Sequence, residues 1–168
     1  MSSIGRRIDA LREEVRGISG PTASASGREQ IAFTPHPGQQ EFLASDAQRR
    51  VLVCHRRFGK DVACVLDLWA RAQRWRKDRR RRKLVPAVSI GIVYPSHDLA
   101  SEFWRLLLRV IPGYEVERKI ESFPRRLELR GDVAIEIRSG QDPGRLVAAG
   151  YDLVIFGEAG ELAEEAWL

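Results

Sequence analysis

The chain has 168 residues, 43% of them hydrophobic, which is enough to bury the core of one globular domain. Lys and Arg outnumber Asp and Glu by 28 to 23, and the net charge of +5 suggests a polyanionic partner such as nucleic acid. The two cysteines do not suggest a disulfide framework, and no Cys/His cluster has metal-ligand spacing. Neither a membrane span nor a secretory signal is evident in the sequence. We therefore expect a reducing, cytoplasmic setting without membrane contact.

The first 30 residues predict an appendage to the folded domain. Residues 1–19 are charged and place apolar side chains on one helical face, which predicts a helix. Residues 20–30 are rich in small residues, a composition typical of a flexible linker. The folded domain is expected over residues 31–168.

A turn and a short helix are predicted at Thr34–Leu43, just upstream of the next strand. Gln39 and Gln40 lie in this helix. Because a side-chain amide carries both a donor and an acceptor, one of them could bind the edge of adenine. The alternative is a glutamine that simply faces solvent.

A strand, a loop and a helix follow in the order that phosphate binding requires. The apolar run Val51–Val53 predicts a buried parallel strand, and Gly59–Lys60 opens a predicted amphipathic helix over residues 61–75. In such a loop, backbone N–H groups and the helix N-terminus bind phosphate, and the Lys reaches the outer oxygens. Cys54 and Asp61 replace the Gly and the Ser or Thr of the standard motif. A strand-to-helix turn with a solvated Lys is therefore the alternative.

The middle of the chain predicts a strand, a helix and a hairpin. The strand is Val88–Tyr94, and Ser96 is the predicted N-cap of the helix that follows. Residues 126–130 and 133–137 alternate apolar and polar side chains around a Gly-Asp turn, which predicts a β-hairpin. The basic run Arg74–Lys83 is expected on a loop or frayed helix end, either as a contact for a nucleic-acid backbone or as a solvated linker.

The last predicted strand is the buried run Leu153–Phe156, and Glu158 follows its carboxyl end. In a parallel α/β sheet, ligands bind at this end of the strands. A carboxylate there supports a phosphate site at Gly59–Lys60.

These motifs resemble those of the N-terminal ATPase domain of the large terminase subunit of tailed bacteriophages. The similarity covers residues 31–162 and is carried by four motifs in order: Pro35–Gln39, Arg56–Asp61, Tyr94-Pro95 and Leu146–Glu158. It implies an α/β P-loop NTPase of the RecA type, with a mostly parallel sheet flanked by helices, that binds ATP and Mg²⁺. It also implies a homo-oligomeric motor that packages double-stranded DNA in the bacterial host cytoplasm with a small terminase subunit and a portal protein.

The resemblance also implies roles for individual residues. Glu158 is the implied base that orients the attacking water, Arg56 the implied contact of the γ-phosphate, and Lys60 the third catalytic residue. The implied nucleotide-binding residues are Gln39, Arg56, Arg57, Phe58, Gly59, Lys60 and Asp61.

One departure from the family concerns the metal. The family has Asp immediately before the catalytic Glu, whereas this chain has Gly157. Asp152 cannot replace it, since five residues of strand span about 16 Å. We therefore take Asp61 as the metal residue, expect weak or absent hydrolysis, and expect Gly157→Asp to raise turnover.

A second departure concerns the sheet. RecA-like sheets insert a strand that follows the catalytic Glu between the phosphate-loop strand and the strand before that Glu. Only ten residues follow Glu158, so this strand, the coupling motif and the nuclease domain are expected to be missing, as in a fragment or a truncated prophage product. The sheet is then incomplete at its C-terminal end, with ladder groups exposed on both neighbours.

Two other functions stay open. A superfamily-2 helicase-like translocase would share Gln39 and Glu158, but would usually have His or Asp where this chain has Gly160. A non-catalytic basic DNA-binding or assembly module agrees with Gly157 and disagrees with the retained Lys60 and Glu158. ATP binding distinguishes this module from both motors.

Overall fold

The computed structural model describes residues 34–45, 47–55, 57–82, 88–141 and 150–164, with the backbone alone for 79–82. The helices are α1 (Pro37–Ala44), α2 (Lys60–Arg82) and α3 (His97–Val110), and the strands are β1 (Val88–Tyr94), β2 (Val116–Ile120), β3 (Arg125–Leu129), β4 (Val133–Ser139) and β5 (Leu153–Phe156). Short 3-10 turns cover Gly113–Glu115 and Ala159–Glu161. The predicted helix over 1–19 and the predicted linker over 20–30 lie outside the described residues.

The five strands form one mixed sheet in the order β2-β3-β4-β1-β5. β1 is parallel to both β4 and β5, whereas β3 is antiparallel to β2 and β4. The α/β class and the predicted hairpin are therefore confirmed. The sheet is less parallel than expected, because β3 forms antiparallel pairs with both β2 and β4 at one side of it.

The core lies between one face of the sheet and the two longer helices. Every second residue of β1, from Val88 to Tyr94, is buried in this core. These side chains belong to one cluster with the apolar side chains of α3 and of the inner face of α2. Ser96 caps α3 as predicted, its hydroxyl accepting a hydrogen bond from the Leu99 N–H at 3.3 Å. This packing fixes where α2 begins relative to the sheet.

Residues Val51–Val53 are not the buried strand that the sequence predicts. They form no regular secondary structure and pair with no strand of the described sheet, and Val51 and Val53 are 87% and 91% exposed. A strand is stable only when its N–H and C=O groups find ladder partners. No described strand lies between this segment and β5, so the apolar run has no such partner.

α2 is longer than predicted and continues to Arg82. The basic run therefore extends the helix and is not a loop over residues 74–82. Among the described residues, no helix is long and apolar enough to cross a membrane.

Candidate functional site

A cleft of about 510 Å³ lies between residues 50–54 and β5. One end, at the carboxyl ends of β1 and β5, is polar and is lined by Lys60, Asp61, Tyr94 and Glu158. The other end runs along the exposed valines and the apolar side chains of β5. Because β1, β4 and β5 are parallel, their carboxyl ends meet at this edge, where α/β sheets bind ligands.

Lys60 and Glu158 meet at the polar end of the cleft. Lys60 is the first residue of α2 and Glu158 follows β5, and the Nζ of Lys60 donates to Oε1 of Glu158 in an ion pair. This hydrogen bond raises the pKa of Lys60, with burial acting in the opposite direction. The fold thus brings together two of the residues to which the sequence assigns phosphate chemistry.

Glu158 has a left-handed backbone conformation, with φ 49° and ψ 46°. This region is unfavourable for any residue with a Cβ other than Asn or Asp. Glycine would be the natural residue for the turn, so a carboxylate held here at a conformational cost is typical of a functional position.

The loop that leads into α2 is shaped by Gln39. Arg57 and Gly59 both have positive φ, of 65° and 78°. The Gln39 amide donates to the carbonyls of Phe58 at 3.0 Å and Gly59 at 3.1 Å. A Cβ at Gly59 would lie 2.7 Å from the Gln39 nitrogen, so this close approach requires glycine.

Gln39 does not face the cleft as an adenine-binding residue would. Its side chain is 1% exposed, and its Oε1 accepts a hydrogen bond from the His36 N–H at 3.1 Å. Both ends of the amide are therefore occupied inside the protein in this conformation. Gln40 does not line the cleft either, and its amide donates to the Pro35 carbonyl at 2.6 Å.

Phe58 anchors the loop to α1. Its ring meets the edge of His36 at a centroid distance of 4.6 Å and of His55 at 6.1 Å. Within the described chain, Gln39, Arg57, Phe58 and Gly59 do not line the cleft, whereas Lys60 and Asp61 do. Arg56 lies outside the described residues.

Asp61, the predicted metal residue, is bound by Tyr94. The Tyr94 hydroxyl donates to Oδ1 of Asp61 at 2.9 Å. Burial raises the pKa of Tyr94, and the charge of Asp61 adds to the shift, so the phenol stays protonated as a donor. No group of three His, Cys, Asp or Glu side chains able to hold a metal ion occurs in the part of the chain that the structure describes.

Gly157 has no room for a side chain. A Cβ at this position would lie 2.1 Å from Cζ of Tyr94. Gly157→Asp can therefore add a metal ligand only if the Tyr94 ring is displaced, and the expected rise in turnover stays a prediction. Asp152 binds the Ser89 N–H at 2.8 Å, at the amino end of β1, and so lies at the opposite edge of the sheet as predicted.

An ion-pair cluster that the sequence analysis missed holds the unpaired segment in place. Asp67 is buried in α2 and accepts hydrogen bonds from Arg50 and Arg71. Arg50 also donates to the Phe42 carbonyl at 3.1 Å and lies over the Phe42 ring at 4.5 Å. The available signal was a lone carboxylate within the apolar run of α2 from Val65 to Ala70.

No protein-family model and no curated protein matches the sequence. Among solved structures, a mutant of the large terminase ATPase domain of Thermus phage P74-26 is similar, with a TM-score of 0.51 and 20% sequence identity. The match covers 86% of this chain and 61% of that chain. The chain therefore has the fold of a phage large-terminase ATPase domain, as the motifs predict, and spans less than two thirds of that domain.

Proposed function

We propose that this chain is the nucleotide-binding part of an ATP-driven DNA-packaging motor, a fragment of a terminase large subunit. The observation that carries the proposal is the Lys60–Glu158 ion pair at the carboxyl edge of the sheet. A loop with two positive φ angles leads directly into Lys60, and a basic side chain opposite a carboxylate is the arrangement that phosphoryl transfer requires.

In this proposal, the triphosphate enters the polar end of the cleft and takes over Lys60 from Glu158. Lys60 then donates to the outer phosphate oxygens, and the N–H groups at the start of α2 bind the same anion. Glu158, released from Lys60, accepts a hydrogen bond from the attacking water and orients it. We keep Arg56 as the proposed contact of the γ-phosphate.

Asp61 is the proposed Mg²⁺ residue. Mg²⁺ in nucleotide sites is held by one or two carboxylates together with phosphate oxygens and water, so a single carboxylate beside Lys60 fits this ion without a three-residue cluster. Bound there, the ion would neutralise charge on the phosphates. The proposed contribution of Gln39 is indirect, through the carbonyls of Phe58 and Gly59.

The proposed partners follow from the motor role. The net charge of +5 supports contact with double-stranded DNA. We further propose homo-oligomerisation, interaction with a small terminase subunit and a portal protein, and action in the host cytoplasm. This chain spans 61% of the similar chain. We therefore propose the coupling and nuclease functions only for a protein that extends beyond this chain.

ATP binding tests the proposal. Lys60→Ala should abolish ATP binding in calorimetry, because it removes the cation nearest the phosphates. The matched control is Lys77→Ala, which removes the same charge from an exposed position of α2 and should leave affinity unchanged. Equal ATP affinity in the two variants would contradict the phosphate-loop assignment.

The non-catalytic DNA-binding module remains a second candidate, favoured by the packing of Tyr94 against Gly157. That contact leaves no place for the carboxylate that precedes the catalytic Glu in the family. A chain that binds DNA but no ATP would establish the module. A helicase-like translocase gains no support from any contact in the described residues.

A further inference from the structure

We propose that Tyr94 is a positioning residue for Asp61, and that Gly157 is glycine because the Tyr94 ring crosses it to reach that carboxylate. The inference deepens the proposed function and rests on it for the role of the metal. It assigns a purpose to the residue that departs most clearly from the expected motif.

The register of the sheet creates the contact. Val93 pairs with Phe156, and the Gly157 N–H donates to the Val93 carbonyl at 2.9 Å, so Tyr94 and Gly157 are neighbours on adjacent parallel strands. The Tyr94 side chain lies on the helix-covered face and is 2% exposed. From there its ring passes over Gly157 toward the first turn of α2.

The ring cannot easily move aside. A Cβ at Gly157 would lie 2.1, 2.3 and 2.7 Å from three atoms of the Tyr94 ring. On its other side the ring packs against Phe103 at a centroid distance of 5.4 Å. Even alanine at position 157 would therefore displace Tyr94, and a larger residue would displace it further.

The hydroxyl at the end of this ring binds one of the two carboxylates at the polar end of the cleft. Asp61 accepts from Tyr94 at 2.9 Å, whereas Lys60 donates to Glu158. Asp61 is adjacent to Lys60 in sequence, and its charge is one of the causes that raise the pKa of Lys60. Tyr94 thus restrains the Asp61 carboxylate through Oδ1, next to Lys60 in the chain. In the proposed function, Oδ2 would be the oxygen that the carboxylate offers to the metal.

The same arrangement occurs a second time in the sheet and provides a control. The Tyr151 ring lies over Gly91, where a Cβ would be 2.6 Å from the ring, and the Tyr151 hydroxyl donates to Glu136 at 2.8 Å. Neither Tyr151 nor Glu136 lines the cleft. Removing this hydroxyl changes the same chemistry at residues that do not line the cleft.

The first experiment compares Tyr94→Phe with Tyr151→Phe by calorimetry of ATP binding, with excess Mg²⁺ and with EDTA. Tyr94→Phe should reduce the gain in affinity that Mg²⁺ confers by about tenfold, since hydrogen bonds to charged groups are the strong ones. Its metal-free affinity should match that of the wild type, and Tyr151→Phe should match the wild type in both conditions. An undiminished Mg²⁺ gain in Tyr94→Phe would overturn the positioning role and leave the proposed function standing.

The second experiment needs no nucleotide. Gly157→Ala is introduced into the wild type and into Tyr94→Leu, which lacks the ring that crosses Gly157, and the melting temperature of each protein is measured. The alanine should lower it by several degrees in the wild type and by much less in the Tyr94→Leu background, a coupling expected of residues in contact. Equal lowering in both backgrounds would overturn the Tyr94–Gly157 pairing. A wild type that binds no ATP would overturn the proposed function and the metal role together, while this cycle still decides the pairing.

Discussion

Lys60 and Glu158 form an ion pair across the cleft although 98 residues separate them in sequence. The pair joins the first turn of α2 to the second residue after β5. In the proposed function, phosphate competes with Glu158 for Lys60, and the attacking water competes with Lys60 for Glu158. In the proposed function, nucleotide binding therefore competes with an interaction already present in the protein. The side chains are 37% and 36% exposed, which makes this competition weak.

Glu158→Gln should raise ATP affinity and abolish hydrolysis. The neutral amide releases Lys60 for the phosphates, and because exposed ion pairs contribute about 0.2–1 kcal/mol, the expected gain is about 1.4- to fivefold. Calorimetry and a phosphate-release assay measure the two effects. Glu117→Gln, an exposed position on β2, is the control and should change neither. An affinity that falls in Glu158→Gln would show that the carboxylate does not compete for Lys60.

Glu158→Gly should be more stable than Glu158→Ala by about 1 kcal/mol. Alanine has a Cβ that makes the left-handed backbone conformation unfavourable, whereas glycine has none. Both variants lose the carboxylate and the ion pair, so their difference isolates the backbone at φ 49°. Urea denaturation of the two proteins measures it. Equal midpoints would mean that the turn relaxes and stores no strain.

Asp67→Ala should destabilise the protein by about 3 kcal/mol, since it leaves two partly buried guanidinium groups without their carboxylate. The side chains of Asp67 and Arg50 are 9% and 12% exposed. Arg118→Ala removes a solvent-exposed partner of Glu128 on the sheet and should cost less than about 0.5 kcal/mol. Similar losses in urea denaturation would contradict the role of Asp67 as the anchor of residues 50–54.

Cys64 should be almost unreactive toward iodoacetamide at pH 8 in the native protein. Burial raises the pKa of its thiol to about 12 from an ordinary value of 9.0, so little thiolate is present. The folded state keeps this proton where the unfolded state loses it, so the stability that Cys64 contributes falls as pH rises from about 9 toward 12. Mass spectrometry of Cys54→Ala, which retains Cys64 alone, compares native with urea-unfolded protein. Equal rates would contradict the burial of this thiol.

Changing Arg79–Arg82 to glutamine should weaken DNA binding. Each lost phosphate contact should reduce the slope of log K against log salt by about 0.9 for duplex DNA. Fluorescence anisotropy across a salt series gives the slope. An unchanged slope would make this run a solvated helix end only.

The sequence by itself determined the local elements, because their causes are local. The apolar periodicity of β1 and α3, the Ser96 cap and the Gly-Asp turn of the hairpin each act over a few residues. The motif order also predicted that Lys60 and Glu158 would meet, because parallel strands present their carboxyl ends at one edge.

Only the tertiary structure decided the contacts that depend on a neighbour distant in sequence. Val51–Val53 has the composition of a buried strand, yet it remains exposed because a ladder partner is not encoded in the segment itself. The Gln39 amide binds the loop carbonyl of Phe58. The Tyr94 ring fills the space that a side chain at position 157 would need. In both cases, the register and packing of the sheet decided which side chain came within hydrogen-bond or van der Waals distance. That is a property of the assembled fold, and no local sequence pattern predicts it.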